Sequence, residues 1–403
     1  MSTVSPATGV TKSPRLVSLD AYRGFIMLAM ASAGFRFAEI ARQQAFEHDP
    51  VWQWLGYHTD HVVWTGCAFW DLIQPSFMFM VGVAMPYSYA VRQAHGQGYG
   101  RMLAHAVYRS IVLVLLGVFL TSNWSGQTEW TFTNVLCQIG LGYPFLFLLW
   151  NRPLRWQLAA AALILVGDWF LFYSWPVPSP ADYSRAGLPD DWPHLTGLAG
   201  HWDKNTNVAA AADAVILNWF PRQEPFRFNA GGYTTLNFVP SLATMIFGLV
   251  AGGLMRSAWP PGRKLAVLFA WGAASLAAGY LLDRLGLCPS VKRIWTPSWT
   301  LLSTGWTLWM LAGFYGLIDV AGFRRLAWPL AVVGMNSIVM YVMSQLLKGW
   351  VAESLKRHFG ESLFTAYGWL DQVYAPAVQM GCVLFVFWLI CVWLYRQKIF
   401  VRI

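Results

Sequence analysis

Apolar stretches of about twenty residues recur along the whole of this chain, separated by polar connections. That recurrence leaves few folds open. A bilayer-spanning α-helix needs ~20 mostly apolar residues and satisfies its backbone hydrogen bonds internally. Ten such stretches are read, near residues 21–40, 68–91, 104–121, 134–150, 156–175, 236–255, 264–285, 299–320, 328–347 and 375–395. The predicted fold class is all-α: a polytopic membrane protein with about ten transmembrane helices. Composition points the same way, since only 12% of the 403 residues are charged, against about 25% in soluble domains.

The basic residues predict an orientation. Lys12 and Arg15 precede the first stretch; Arg92, Arg101 and Arg109 surround the second connection. Arg152 and Arg155 lie in the fourth connection, Arg256, Arg263 and Lys264 in the sixth, and Arg324 and Arg325 in the eighth. Arg396, Lys398 and Arg402 follow the last. With ten spans all these groups fall on one side, so both termini are expected in the cytoplasm. Lys292, Arg293, Lys348, Lys356 and Arg357 fall on the other side, so the asymmetry is a bias.

Residues 1–14 are polar and lack the apolar core of a secretory signal, which reads as a flexible cytoplasmic tail. Residues 15–403 then form one transmembrane domain. Two exterior connections are long. Residues 176–235 are rich in Trp, Pro and Gly, and are expected to form an ordered cap. Residues 348–374 place Leu355, Phe359, Leu363 and Phe364 in a helical pattern, as expected of an amphipathic surface segment.

The formal net charge is +9. Its basic residues sit between apolar stretches and form no aromatic-interleaved patch, so membrane lipids, and no nucleic acid, are the expected surroundings. The five cysteines have neither CxxC nor Cys/His spacing, so no metal site or disulfide framework is signalled. Walker, GxGxxG, HExxH and GxSxG motifs are lacking, which argues against ATPases, dinucleotide enzymes, zincins and ordinary serine hydrolases.

Chemistry gathers in residues 58–88, HTDHVVWTGCAFWDLIQPSFMFMVGVAMPYS. His58 and His61 stand at the mouth of an apolar run, and Asp71 lies just inside it. Imidazole is the usual proton carrier near neutral pH and can also accept an acyl group. Asp71 either caps the following helix or orients His61 as its acid–base partner. A continuous helix would separate the two by ~15 Å, so contact requires the His61 segment to fold back as a loop.

Ionisable groups at membrane depth are expensive and tend to line cavities or pair. Asp20 and Arg23, three apart, are either an interfacial pair or an internal ion pair beside a cofactor channel. Lys292, Arg293 and Trp295 are either part of an interfacial aromatic belt or a holder for an anionic or sugar ligand. Asn336 and Ser337 are either interhelical hydrogen bonders or polar groups of a site.

Five segments carry a resemblance: RLVSLDAYRGFIML from Arg15, HVVWTGCAFWDLIQPSFMFMVGVAM with His61, Trp64 and Asp71, VLCQIGLGYP with Gln138, KRIWTPSWTLLSTG with Lys292 and Trp295, and PLAVVGMNSIVMYVMS with Asn336. In that order they resemble the heparan-alpha-glucosaminide N-acetyltransferase family of transmembrane acyltransferases, from Arg15 to about Gln345. The resemblance implies acetyl-CoA as a cytoplasmic donor and an amino sugar or glycan acceptor on the exterior face. It places the active histidine before Trp–x–Gly, at His61 and not His58, with Asp71 as its partner. Asp20, Arg23, Trp64, Gln138, Lys292, Arg293, Trp295 and Asn336 become candidates for substrate or CoA binding, with Asn336 or another buried polar group as an oxyanion stabiliser. Gly34 stands where an Asn is frequent in the family, and the 176–235 insertion is unlike the lysosomal member. Together these suggest a bacterial inner-membrane relative. The competing class is a transporter that moves a small anionic or sugar substrate without chemistry. The oligomeric state, a homodimer among the options, is left open by the residues.

Overall fold

The computed structural model describes residues 16–401, so the predicted tail at 1–14 lies outside the described residues. In chain order the main helices are α1 (Val17–Ala31), α2 (Pro50–His58), α3 (Ile73–Ala94), α4 (Tyr99–Ser122) and α5 (Val135–Leu149). There follow α6 (Leu154–Tyr173), α7 (Val208–Ile216), α8 (Phe238–Arg256), α9 (Pro261–Arg284) and α10 (Pro297–Phe314). The last are α11 (Trp328–Met335), α12 (Ser337–Leu346), α13 (Lys348–Phe359) and α14 (Ala375–Arg396). The fold is all-helical, with one isolated bridge among the described residues, Thr65 to Val291.

Seven helical segments are long and apolar enough to cross a membrane, or eight if α11 and α12, bent by 79°, count as one span. The sequence predicts ten, and the two remaining stretches differ for physical reasons. The 134–150 stretch holds only the 15 residues of α5, against about 20 needed to span. In the 68–91 stretch, α3 is 22 residues long but carries Gln74, Ser76, Ser88 and Arg92. It packs in the bundle interior, where Ser76 Oγ accepts from Tyr22 OH at 3.2 Å, so it need not be apolar all round.

Small residues let the central helices approach backbone to backbone. A Cβ on Gly82 of α3 would lie 2.0 Å from the Met245 carbonyl oxygen of α8. A Cβ on Gly24 of α1 would lie 1.8 Å from the Leu330 carbonyl oxygen of α11, and one on Gly334 would lie 1.7 Å from that of Asp20. The start of α1 is held from far along the chain: the Asp319 carboxylate accepts from the backbone N–H of Val17 at 3.3 Å and of Ser18 at 3.1 Å. A carboxylate suits the positive end of a helix.

Residues 176–235 contain a 3₁₀ turn (Gly197–Trp202) and α7, which begins where Asn207 accepts from the N–H of Ala209 and Ala210. Trp202 is fully buried and clusters with Trp64, Phe172, Cys288, Val291 and Ile294. In the 348–374 segment, Val351 and Ala352 are buried, and the helix stops at Gly360, whose φ of 81° breaks the pattern before Leu363.

Asp213 ties α7 to the turn that leads into α8, its two oxygens lying 3.2 and 2.9 Å from the Thr235 N–H. Burial pushes its carboxyl up from 3.8 to about 6, against the Thr235 hydrogen bonds and the Arg222 charge. Between those values the folded state binds the proton and the unfolded state does not, so this group's contribution to stability falls as pH rises through the window. Asp213→Asn keeps an acceptor for Thr235 and removes the buried charge. It is expected to raise the melting temperature of the detergent-solubilised protein at neutral pH, by a stabilisation on the order of 2 kcal/mol, and to flatten the acid dependence below pH ~6.

Candidate active site

The sequence between α2 and α3 does fold back. α2 starts where Asp49 accepts from the N–H of Val51 and Trp52, and it ends at His58. Residues 59–68 then run as a loop to the 3₁₀ turn Phe69–Leu72, which precedes α3. Asp71 sets the route. Its Oδ2 accepts from the backbone N–H of Val62 at 3.3 Å and of Ala68 at 3.2 Å. Its Oδ1 lies 2.7 Å from His61 Nδ1 and accepts from Lys292 Nζ at 3.2 Å. Four donors therefore meet one carboxylate, which is about its full acceptor capacity.

Lys292 reaches this point from the turn Lys292–Ile294 between α9 and α10. Gly66 N–H donates to the Ser290 carbonyl at 2.9 Å, beside the Thr65–Val291 bridge, so the histidine loop and the lysine turn are zipped edge to edge. Lys292 Nζ stands 3.0 Å from His61 Nδ1. The Asp71 and Lys292 side chains are 1% and 4% exposed, against 36% for His61, so only the imidazole of the three is accessible.

Burial pushes the Lys292 ammonium down to about 8; the Asp71 charge and hydrogen bond resist that, and the Arg293 charge adds to it. Burial also works against ionised Asp71, but the His61 hydrogen bond, the Lys292 charge and the Ala68 N–H together hold its carboxyl below the ordinary carboxylate value. The neighbouring Cys67 thiol is pushed up to about 12 by burial, with the Asp71 charge adding and Lys292 opposing. Cys67 is therefore a poor nucleophile beside His61.

His61 and Lys292 line a cavity of about 510 Å³ together with Trp70, Ile73, Gln74 and Phe77 from the α3 side. Met30, Asn134, Tyr233, Tyr341 and Gln345 complete much of the wall. Gln138 stands behind the wall: Gln74 Nε2 donates to its Oε1 at 3.4 Å, and its own Nε2 donates to the Thr133 carbonyl at 3.2 Å. Sequence reasoning misses Tyr233 and Trp70, because nothing in their local pattern separates them from other interfacial aromatics; Tyr341 falls within the PLAVVGMNSIVMYVMS segment without being singled out there.

His58, the rival histidine, accepts at Nδ1 from the Phe69 N–H at 3.2 Å and packs beside Trp54. It serves the loop backbone. Trp64 donates to the Trp202 carbonyl at 3.1 Å and is buried against the 176–235 segment. Arg293 donates to the carbonyls of Gly231 at 2.6 Å and Val62 at 3.3 Å, so its guanidinium stitches two loops. Trp295 is fully buried and donates to Thr244 Oγ1 at 3.2 Å.

Three further candidates sit elsewhere. Asp20 and Arg23 lie 3.6 Å apart in the first turns of α1 and do not line the cavity. Asn336 occupies the bend between α11 and α12. Its Nδ2 donates to the Ile399 carbonyl and its Oδ1 accepts from the Val401 N–H, each at 3.0 Å. Both ends of that amide are engaged with the C-terminal segment. Tyr341 and Gln345 reach the cavity from farther along α12, about 7.5 and 13.5 Å from Asn336 along the axis.

A helical bundle of this kind, with seven or eight candidate spans, is that of a polytopic integral membrane protein, and it presents one accessible imidazole beside a buried Asp–Lys pair to a cavity. No family model matches the chain. It is 24% identical to the human heparan-alpha-glucosaminide N-acetyltransferase over 452 aligned residues, which cover 99% of this chain and 62% of that protein. To the mouse protein of the same name it is 23% identical over 387 residues, covering 86% of this chain and 55% of that protein. The chain is thus distantly similar to these heparan-alpha-glucosaminide N-acetyltransferases, and it spans about six-tenths of their length.

Proposed function

We propose that this protein is an acetyl-CoA-dependent N- or O-acetyltransferase, moving acetyl from the cytoplasmic thioester to an amino sugar or glycan on the exterior face of a bacterial inner membrane. The observation that carries the reading is the Asp71–His61 contact at the wall of the 510 Å³ cavity. With Nδ1 committed to Asp71, Nε2 is the nitrogen left for chemistry. In direct transfer the acceptor nitrogen or oxygen bonds to the thioester carbonyl carbon while His61 Nε2 takes the acceptor's proton. The C–S bond then breaks, and the thiolate collects that proton as CoA-SH. In a relay, Nε2 itself bonds to the carbonyl carbon, the C–S bond breaks and CoA leaves as the thiolate; the acceptor then bonds to that carbon, the Nε2–C bond breaks, and the acceptor's proton passes to the freed Nε2 and on to the thiolate or solvent. The first route needs both substrates bound together; the second gives ping-pong kinetics and an isolable acetyl-enzyme.

The cavity's polar and aromatic groups, Gln74, Tyr233, Tyr341 and Gln345, suit the orientation of a thioester and an acceptor better than Asn336 does. In the ten-span topology, with both termini cytoplasmic, α3 and α5 complete the bundle and the His61 loop lies on the exterior side under the 176–235 cap.

Purified protein incubated with labelled acetyl-CoA and glucosamine-type acceptors tests the reading. Transfer is expected from the wild type and from His58→Ala, with loss of at least ~10²-fold in His61→Ala. Transfer that survives His61→Ala and dies in His58→Ala would overturn the assignment. An absence of CoA binding would favour the transporter.

A further inference from the structure

His61 Nδ1 has two close neighbours, Asp71 Oδ1 at 2.7 Å and Lys292 Nζ at 3.0 Å. A ring nitrogen carries either a proton or a lone pair, so it cannot satisfy both. With a lone pair it accepts from Lys292 but faces the Asp71 oxygen acceptor to acceptor. With a proton it donates to Asp71, and Lys292 must then direct its own protons at the carboxylate, where Nζ and Oδ1 are 3.2 Å apart. Asp71 Oδ2 already accepts from Val62 and Ala68, and the Lys292 ammonium beside Oδ1 favours the ionised carboxylate. The shorter contact and this donor count select the second arrangement.

Two charges thus stand against the ring. Asp71 alone would orient the imidazole and also stabilise it as imidazolium. Lys292 cancels the second effect and leaves the first, since a nearby cation disfavours a second positive charge. The other titratable groups at this point do not replace it. Arg293 is spent on two carbonyls, Asp60 accepts from the His61 backbone N–H, and Cys67 is held as a thiol. Tyr233 faces the cavity from the 176–235 side.

We infer that Lys292 is a positioning residue that keeps His61 a neutral, Nδ1-protonated base, and that it is not a ligand for an anionic substrate group. The reaction this base serves rests on the acyltransferase reading; the proton arrangement is a property of the chain alone. It differs from the alternative that Lys292 holds an anionic or sugar ligand, for its ammonium is turned inward on Asp71.

The test reads His61 without turnover. The full-length protein in detergent is treated with diethylpyrocarbonate across a pH series, and carbethoxylation of His61 is followed by peptide mass spectrometry. In Lys292→Met, or in Lys292→Gln should the first variant not purify as a single species, the pH midpoint of the reaction is expected to rise by at least one unit. That is a tenfold loss of the reactive base on the acid limb. Lys292→Arg, which restores the charge, is expected to return the midpoint toward that of the wild type. An unchanged midpoint in the neutral variants overturns the inference, whether or not the protein transfers acetyl. So does a tenfold rise in KM for acetyl-CoA with the midpoint unmoved, which would make Lys292 an anion ligand. If the midpoint moves but no acetyl transfer is found in any variant, the inference stands and the acyltransferase reading falls.

Discussion

Asp71→Asn is expected to lower acetyl transfer by about 10²–10⁴-fold, with a smaller effect on KM for acetyl-CoA. The carboxylate takes four donors, from His61, Lys292, Val62 and Ala68. An amide cannot do this, because one of its two heads is itself a donor. If the amide N–H₂ faces His61, Nδ1 must give up its proton, and the proton moves to Nε2, the atom that has to be bare. If the N–H₂ faces Val62 and Ala68 instead, the 59–68 loop loses its anchor. Either way Lys292 keeps a buried charge without its anion, and breaking such a pair costs about 3–5 kcal/mol. Two losses are therefore superimposed, in chemistry and in folding. Steady-state rates per folded molecule, measured for Asp71→Asn and for Asp71→Asn combined with Lys292→Met, separate them. The double variant is expected to recover much of the folded yield and none of the rate. Recovery of the rate would show that Asp71 matters to the loop alone.

The second large effect lies away from the chemistry. Gly334→Val is expected to abolish the monodisperse folded protein, a loss above about 4 kcal/mol, read as the disappearance of the main peak in size-exclusion chromatography. Its Cβ would enter the space held by the Asp20 carbonyl, 1.7 Å away. The obstacle is backbone, which no side-chain rotation removes. Gly24 faces the Leu330 carbonyl in the same contact, so neither helix can yield alone. A Gly334→Val protein that elutes and melts like the wild type would mean that α1 and α11 tolerate a wider separation. Asp20, at the contact point, would then have to move with α1 and take the Arg23 pair with it.

Much of this is legible in the sequence. Apolar length alone marks the helices long and hydrophobic enough to span, since hydropathy is what a bilayer selects, and it does so even for α8, which is mostly buried among the others. It does not by itself decide α3 and α5, since α3 carries polar groups turned into the bundle and α5 has only 15 residues. The proximity of His61 and Asp71 is legible only as a condition, because period and spacing describe straight elements and the contact depends on a loop. Lys292 stands out as a cation at a helix mouth, but its partner lies 221 residues away, and nothing local encodes that pairing. The glycines of α1 and α11 carry no signal of their own until the two helices are set side by side. The break at Asn336 is hidden because both halves are apolar and the run reads as one span.

That break has reach. α12 brings Tyr341 and Gln345 to the cavity, and the direction in which it sets out from Asn336 fixes where they arrive. Asn336 is in turn gripped at both amide atoms by Ile399 and Val401. Residues 399–401 thus form a strut behind one wall of the chamber, and a change there is expected to reach the aromatic lining around His61 by leverage along α12.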